Sequence, residues 1–218
     1  MKGYIGQAWL VIVLAAVFSA ALAGVEAALK DRIAANKLAA TLNEIPRLVG
    51  GADRAASATA APLLVAVGQG AFRKDYEAYR ALAADGNQVG WVIRASGKGF
   101  ADKIELLVGV DANVSVITGL AILDQKETPG LGNKIADVGT SAKHGFLWPF
   151  FVNHPRADEP LTVVTGASPK KGAPGAANRI LAVTGATISS RSVCDIVNEA
   201  LGPEVRDRLR AEVKKGRP

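Results

Sequence analysis

Four hydroxyl side chains crowd one short segment, Thr184-Gly185-Ala186-Thr187-Ile188-Ser189-Ser190. What they can do depends on their flanks. The apolar run Ile180–Val183 before them reads as a strand, and Val193, Ile196, Val197 and Leu201 after them recur at helical spacing. The segment therefore sits where a strand gives way to a helix. A helix start carries N–H groups without internal partners and the positive end of the helix dipole. Gly185 and Ala186 add no bulk, so a ligand can approach the backbone. That combination is a phosphate site in kind. The same residues also make an ordinary Ser/Thr cap with a glycine turn, and alone they fit both readings. No Gly-Lys-Ser/Thr follows, so this is not a Walker loop.

A second segment, Glu127-Thr128-Pro129-Gly130-Leu131-Gly132, closes the apolar stretch Val114–Leu123. Pro-Gly favours a tight turn, and Gly132 leaves its backbone accessible. It offers one acid, one hydroxyl and several N–H groups: hydrogen-bonding capacity with no nucleophile–base pair, and equally a plain connection. Cys194, beside apolar Val193 in the closing helix, reads as a buried structural thiol. His144 and His154 flank Gly-Phe-Leu-Trp-Pro-Phe-Phe and read as surface or hydrogen-bonded histidines. Phe146, Trp148, Phe150 and Phe151 read first as core, with a subset available to shield a ligand or face a partner. Lys170-Lys171 and the tail bases Arg206, Arg208, Arg210, Lys214, Lys215 and Arg217 read as solvated charge.

Composition narrows the classes. The chain has 218 residues, 49% of them hydrophobic and 21% charged, which excludes a disordered chain and leaves room for one domain with an appendage. One cysteine excludes an intramolecular disulfide framework and a multi-cysteine metal site, and two histidines leave little for a histidine-rich one, so no metal site is expected. The charge of +6 comes without a basic–aromatic module, and no nucleic-acid partner is expected.

The elements that must position the two segments follow from patterning. Residues 63–67 read as a strand, and Tyr76–Ala83 as a helical turn or loop arm. Asp85-Gly86-Asn87 turns into Gln88–Ala95. Lys103–Val110 and Val114–Leu123 form an antiparallel pair turning at Asp111-Ala112-Asn113. Residues 136–151 mix helix and loop, Leu161–Thr165 and Ile180–Val183 are strands, 166–178 is a loop, and Ser189–Leu201 is a helix before a charged tail. Strands gathered between a leading and a closing helix indicate an α+β fold.

The leading segment sets the location. Gly3–Val25 carries no charge and would be roughly 34 Å long as a helix, enough for a hydrocarbon core of about 30 Å. It is apolar all round, with Tyr4 and Trp9 where interfacial aromatics would anchor. The competing reading is a cleavable signal peptide ending at Ala21-Leu22-Ala23. Either delivers the remainder to a membrane surface or across it. Lys30, Arg32 and Lys37 just after the segment leave the orientation open on charge alone. Residues 26–49 continue as a helix with Leu29, Ile33, Leu38, Leu42 and Ile45 at helical spacing, and 50–62 has linker composition. The expected organisation is an anchor over 1–25, stalk and linker over 26–62, a domain over 63–203 and a tail over 204–218.

Glu-Thr-Pro-Gly-Leu-Gly followed in the same chain by Thr-Gly-Ala-Thr-Ile-Ser-Ser resembles the covalent-FMN domain of the G subunit of the Rnf electron-transport complex, a cousin of the C subunit of the sodium-pumping NADH:quinone reductase. The resemblance extends to Gly90–Asp111 and to the single N-terminal anchor, and is weakest over 35–75 and in the tail. It implies a membrane helix followed by an FMN-binding domain with an antiparallel sheet flanked by helices. It also implies FMN joined through its phosphate to Thr187, beside Thr184, Gly185, Ala186, Ile188 and Ser189, with Glu127, Thr128, Leu131 and Gly132 along the ring. Family members often carry an acidic residue shortly before the attachment motif, and Asn178–Val183 has none. The implied role is an electron relay between flavin and iron–sulfur subunits of a redox-driven ion translocase. Maturation would need a flavin transferase, and the domain would lie on the periplasmic side of a bacterial inner membrane. No residue need act as acid, base or nucleophile on a substrate. The alternatives are a stand-alone extracytoplasmic FMN carrier and a tethered, non-redox adaptor for a phosphorylated ligand.

Overall fold

The computed structural model describes residues 2–49, 57–58, 62–68, 73–137, 139, 145–167 and 172–215. His144, Lys170-Lys171 and Arg217 lie outside them, as does nearly all of the linker reading over 50–62. The chain divides into two compact units, Met1–Ala40 and Thr41–Pro218.

The first unit is helix throughout its described length, part of α1 (Lys2–Leu48). Its large apolar side chains from Trp9 to Leu38 are exposed, Phe18 at 66% and Leu22 at 71%. By length and composition it can cross a membrane.

The second unit is built on an antiparallel sheet. β1 (Ser57–Ala58) and β2 (Leu63–Val67) pair along one edge of β3 (Lys74–Leu82), followed in order by β4 (Gln88–Lys98), β5 (Lys103–Asp111) and β6 (Ile117–Asp124). α2 (Trp148–Val152) follows, and β7 (Thr162–Val164) pairs in parallel with β8 (Arg179–Leu181). α3 (Thr187–Ala200) and α4 (Pro203–Lys215) close the chain. The antiparallel α+β reading holds.

Period-two alternation gives the sheet two buried faces. Trp91, Ile93, Ile104, Leu106 and Val108 share a core with Val193, Val197, Val205 and Leu209 of the closing helices. Val92, Leu107 and Ala121 pack on the other side with Ile45, Leu48 and Val49 at the end of α1. Phe146 and Phe150 are core, their rings 6.2 Å apart and edge-on.

Two expectations need correcting. Tyr76–Ala83 is not a helical turn: all but Ala83 belongs to β3, where Tyr76 and Ala78 face one core and Tyr79 and Ala81 the other. Nor is the tail only solvated charge. Val205 and Leu209 are fully buried in α4, and Arg210 donates to the carbonyls of Asn113 (3.2 Å) and Val114 (2.9 Å). The apolar pair four residues apart was the signal, hidden by the surrounding charge.

Candidate functional site

Gly185 takes φ +81, a left-handed turn that suits glycine, and sends the chain into α3. A Cβ there would sit 2.9 Å from Cδ2 of Leu131, so the two glycine-rich segments meet at this point. Thr184, Gly185 and Ile188 are exposed, Thr187 is half-buried, and Ala186 and Ser189 are buried.

The start of α3 has no side-chain cap, and its first turn has no acidic residue. The N-cap position is held by Ala186, whose side chain has no oxygen to accept, and the Ser190 hydroxyl a turn later accepts the Val183 N–H (3.0 Å) and donates to the Ala186 carbonyl (2.9 Å). Helical bonding begins with Ser190 N–H to Ala186 (2.9 Å), after the N–H groups of Thr187, Ile188 and Ser189. Of the two readings open at the sequence level, the plain hydroxyl cap is therefore not what the segment forms. An uncapped helix start bearing a half-buried hydroxyl fits an anionic phosphoryl group.

The Glu127–Gly132 loop does more than connect elements. Glu127 is 4% exposed. Its Oε1 accepts the N–H groups of Phe100 (2.9 Å) and Ala101 (3.1 Å) from the β4–β5 turn, and its Oε2 accepts the Ser189 hydroxyl (2.6 Å). Gln125 Oε1 accepts the Glu127 N–H at 2.7 Å. Within the loop, the N–H groups of Leu131 (3.2 Å) and Asn133 (3.3 Å) donate to the Thr128 carbonyl. Gly132 is buried beneath the carboxylate, where a Cβ would lie 2.7 Å from Glu127 Oε2 and 3.0 Å from Ser189 Oγ. Thr128 and Leu131 remain exposed.

Glu127, Leu131 and Gly132 thus meet the Gly185–Ser189 segment at the N-terminal end of α3, while the Thr128 carbonyl is engaged within its own loop. Sequence reasoning missed one contributor, the hairpin turn at Phe100-Ala101; the buried side-chain oxygen of Asn133 in the adjoining turn has no hydrogen-bond partner among the described residues. Gly97-Lys98-Gly99-Phe100 was the available signal for the hairpin turn. Cys194 is buried in α3, and burial pushes its thiol up to about 12, which suits structure rather than redox work. His154 is exposed, with φ +46.

Residues 99–202, from the hairpin turn to the end of α3, match the family model described as FMN-binding domain. This part of the chain is an FMN-binding domain. Over 123 residues the chain is 33% identical to the G subunit of the ion-translocating oxidoreductase complex of Methanosarcina acetivorans, covering 56% of this chain and 55% of that protein. It is 34% identical over 119 residues to the G subunit of the Na(+)-translocating ferredoxin:NAD(+) oxidoreductase complex of Acetobacterium woodii, covering 54% and 50%. The chain thus spans about half the length of these curated relatives. The fold is shared with the NqrC crystal structure from Shewanella oneidensis, at a TM-score of 0.54 and 22% identity, covering 65% of this chain and 62% of that one. The open start of α3 and the loop packed against it lie inside the FMN-binding domain.

Proposed function

We propose that this chain is the G-subunit flavoprotein of an Rnf-type ion-translocating electron-transport complex, carrying FMN esterified through its phosphate to Thr187. The observation that carries this reading is the uncapped start of α3, where a half-buried Thr187 hydroxyl follows Gly185 and no acidic side chain competes for the first turn. The names of the relatives support the complex.

FMN, when bound, supplies one- and two-electron redox chemistry. The chain's own residues bind and shield. Thr187 holds the phosphoryl group, the first-turn N–H groups of α3 face its charge, and Gly185 and Ala186 keep the approach clear. Thr184, Ile188 and Leu131 offer exposed contact surface beside it, while Glu127, Gly132 and Ser189 form the supporting layer beneath. Attachment by a flavin transferase keeps the cofactor from being lost to dilution. The apolar segment within residues 1–25 anchors the chain in a bacterial inner membrane, the helix just beyond it is the stalk, and the flavin domain built on the sheet lies on the periplasmic face. Electrons pass between flavin and iron–sulfur subunits of the same complex.

Intact mass tests the attachment. Co-produced with a flavin transferase, the wild-type chain gains one FMN increment, and Thr187→Ala loses it. An increment that survives this substitution places the bond elsewhere. Co-purification with iron–sulfur membrane subunits tests the relay, and a flavinylated chain that purifies alone from a host making the whole complex argues for a stand-alone carrier.

A further inference from the structure

A carboxylate buried in a protein interior carries a desolvation cost that an apolar side chain would not. Glu127 nevertheless occupies such a place, and the three groups that donate to it, two backbone N–H groups and one hydroxyl, are neutral. The chain also clears space for it on two sides. A Cβ on Gly99 would strike Oε1, and one on Gly132 would come within 2.7 Å of Oε2. A group this closely accommodated sets geometry, because a satisfied buried polar cluster admits one arrangement of its members.

The members come from three separate stretches of chain: the β4–β5 turn, the Glu127–Gly132 loop and the first turn of α3. Each stretch also carries one large apolar side chain left in solvent. Phe100 is 60%, Leu131 47% and Ile188 56% exposed. Phe100 follows Gly99 and bonds Glu127 through its own N–H, Leu131 lies against Gly185, and Ile188 sits between Thr187 and Ser189. Exposed apolar residues gathered around a candidate attachment hydroxyl indicate a surface meant to be covered.

We infer that Glu127 is a positioning residue for the flavin: its carboxylate fixes the three stretches together so that Phe100, Leu131 and Ile188 form one apolar bed for the ring system. Phe100, outside both glycine-rich segments, is thereby a further flavin-contacting residue. The inference rests on the flavin reading above.

The test uses the full chain, flavinylated in the producing host and solubilised in detergent. Two optical signals are read: the visible circular dichroism of the flavin, which requires a fixed asymmetric setting, and iodide quenching of its fluorescence, which measures access. Wild-type protein without an FMN increment would sink the flavin reading itself, before the variants are compared. With the increment present, Glu127→Ala is expected to keep it while its dichroism falls about threefold and quenching rises by a similar factor. Glu127→Gln restores most of both, because one amide oxygen can still accept from Phe100 and Ala101 while the amide NH₂ turns to the Ser189 oxygen. Phe100→Ala, at an exposed position, keeps the wild-type melting temperature and raises quenching about twofold. If Glu127→Ala does not fold, Ser189→Ala, which removes a single arm, carries the same expectation. Wild-type dichroism in the Glu127 or Ser189 variant, or wild-type quenching in Phe100→Ala, overturns the inference.

Discussion

Two places in the second unit are pared down to glycine, for different reasons. Across the middle of the sheet, a Cβ on Gly109 would lie 3.0 Å from the Leu48 side chain and against its carbonyl, and one on Gly119 would come within 2.6 Å of Phe151 and 3.0 Å of Leu48 Cα. There the strands are stripped to let the end of α1 lie down on them, and Thr118 completes the junction by donating to the Leu48 carbonyl at 2.5 Å. At the other place, Gly99 and Gly132 are stripped to admit a carboxylate. Glycine makes room for backbone in the first case and for charge in the second. The first is expected to govern stability and the second the geometry of the site.

Substitutions can break that division. Gly109→Val should have the largest effect on folding, a loss of about 3 kcal/mol in chemical denaturation, because a helix terminus cannot step aside as a side-chain tip can. The flavin dichroism of the surviving folded fraction should be unchanged, and a parallel loss would mean the two places are coupled. Gly132→Ala should cost less, about 1–2 kcal/mol, since the Glu127 carboxylate can shift, yet it should lower the dichroism. Thr118→Val leaves the Leu48 carbonyl without its donor and should cost about 1 kcal/mol with no optical change.

Raising the pH probes the two sheet faces separately. Burial pushes Cys194 and Tyr76 up to about 12 in the core shared with α3 and α4, and Tyr79 up to about 12 on the face packed by the end of α1. The unfolded chain ionises first, near pH 8.5 for cysteine and about 10 for tyrosine. The contribution of these groups is therefore complete below those values and is lost as pH climbs toward 12. Denaturation midpoints from about pH 8 to 11 should fall, Cys194→Ala should flatten the early part of the decline, and Tyr79→Phe only the later part.

Much of this was legible in the sequence. The long uncharged segment, the β5–β6 pair, the α3 helix and the strand-to-helix junction at Gly185 follow from local patterning, because periodicity and turn chemistry act over a few residues. The misread elements failed for a local reason too. β3 carries charged residues on both flanks of its alternation, and α4 hides Val205 and Leu209 among Glu, Asp and Arg. The site was half legible: its two segments announce themselves, and their meeting does not.

The sequence by itself determined a long uncharged apolar helix, an α+β class and a hydroxyl-rich helix start, since each is a property of neighbouring residues. Only the tertiary structure decided that α3 starts from Ala186, with no hydroxyl as its cap, and that Ser190 turns back to Val183 and Ala186. It alone brought Phe100, Ala101 and Ser189 onto the Glu127 carboxylate. That gathering rests on hydrogen bonds between residues far apart in the chain, and such partners are chosen by the packing of the sheet, which no local pattern encodes.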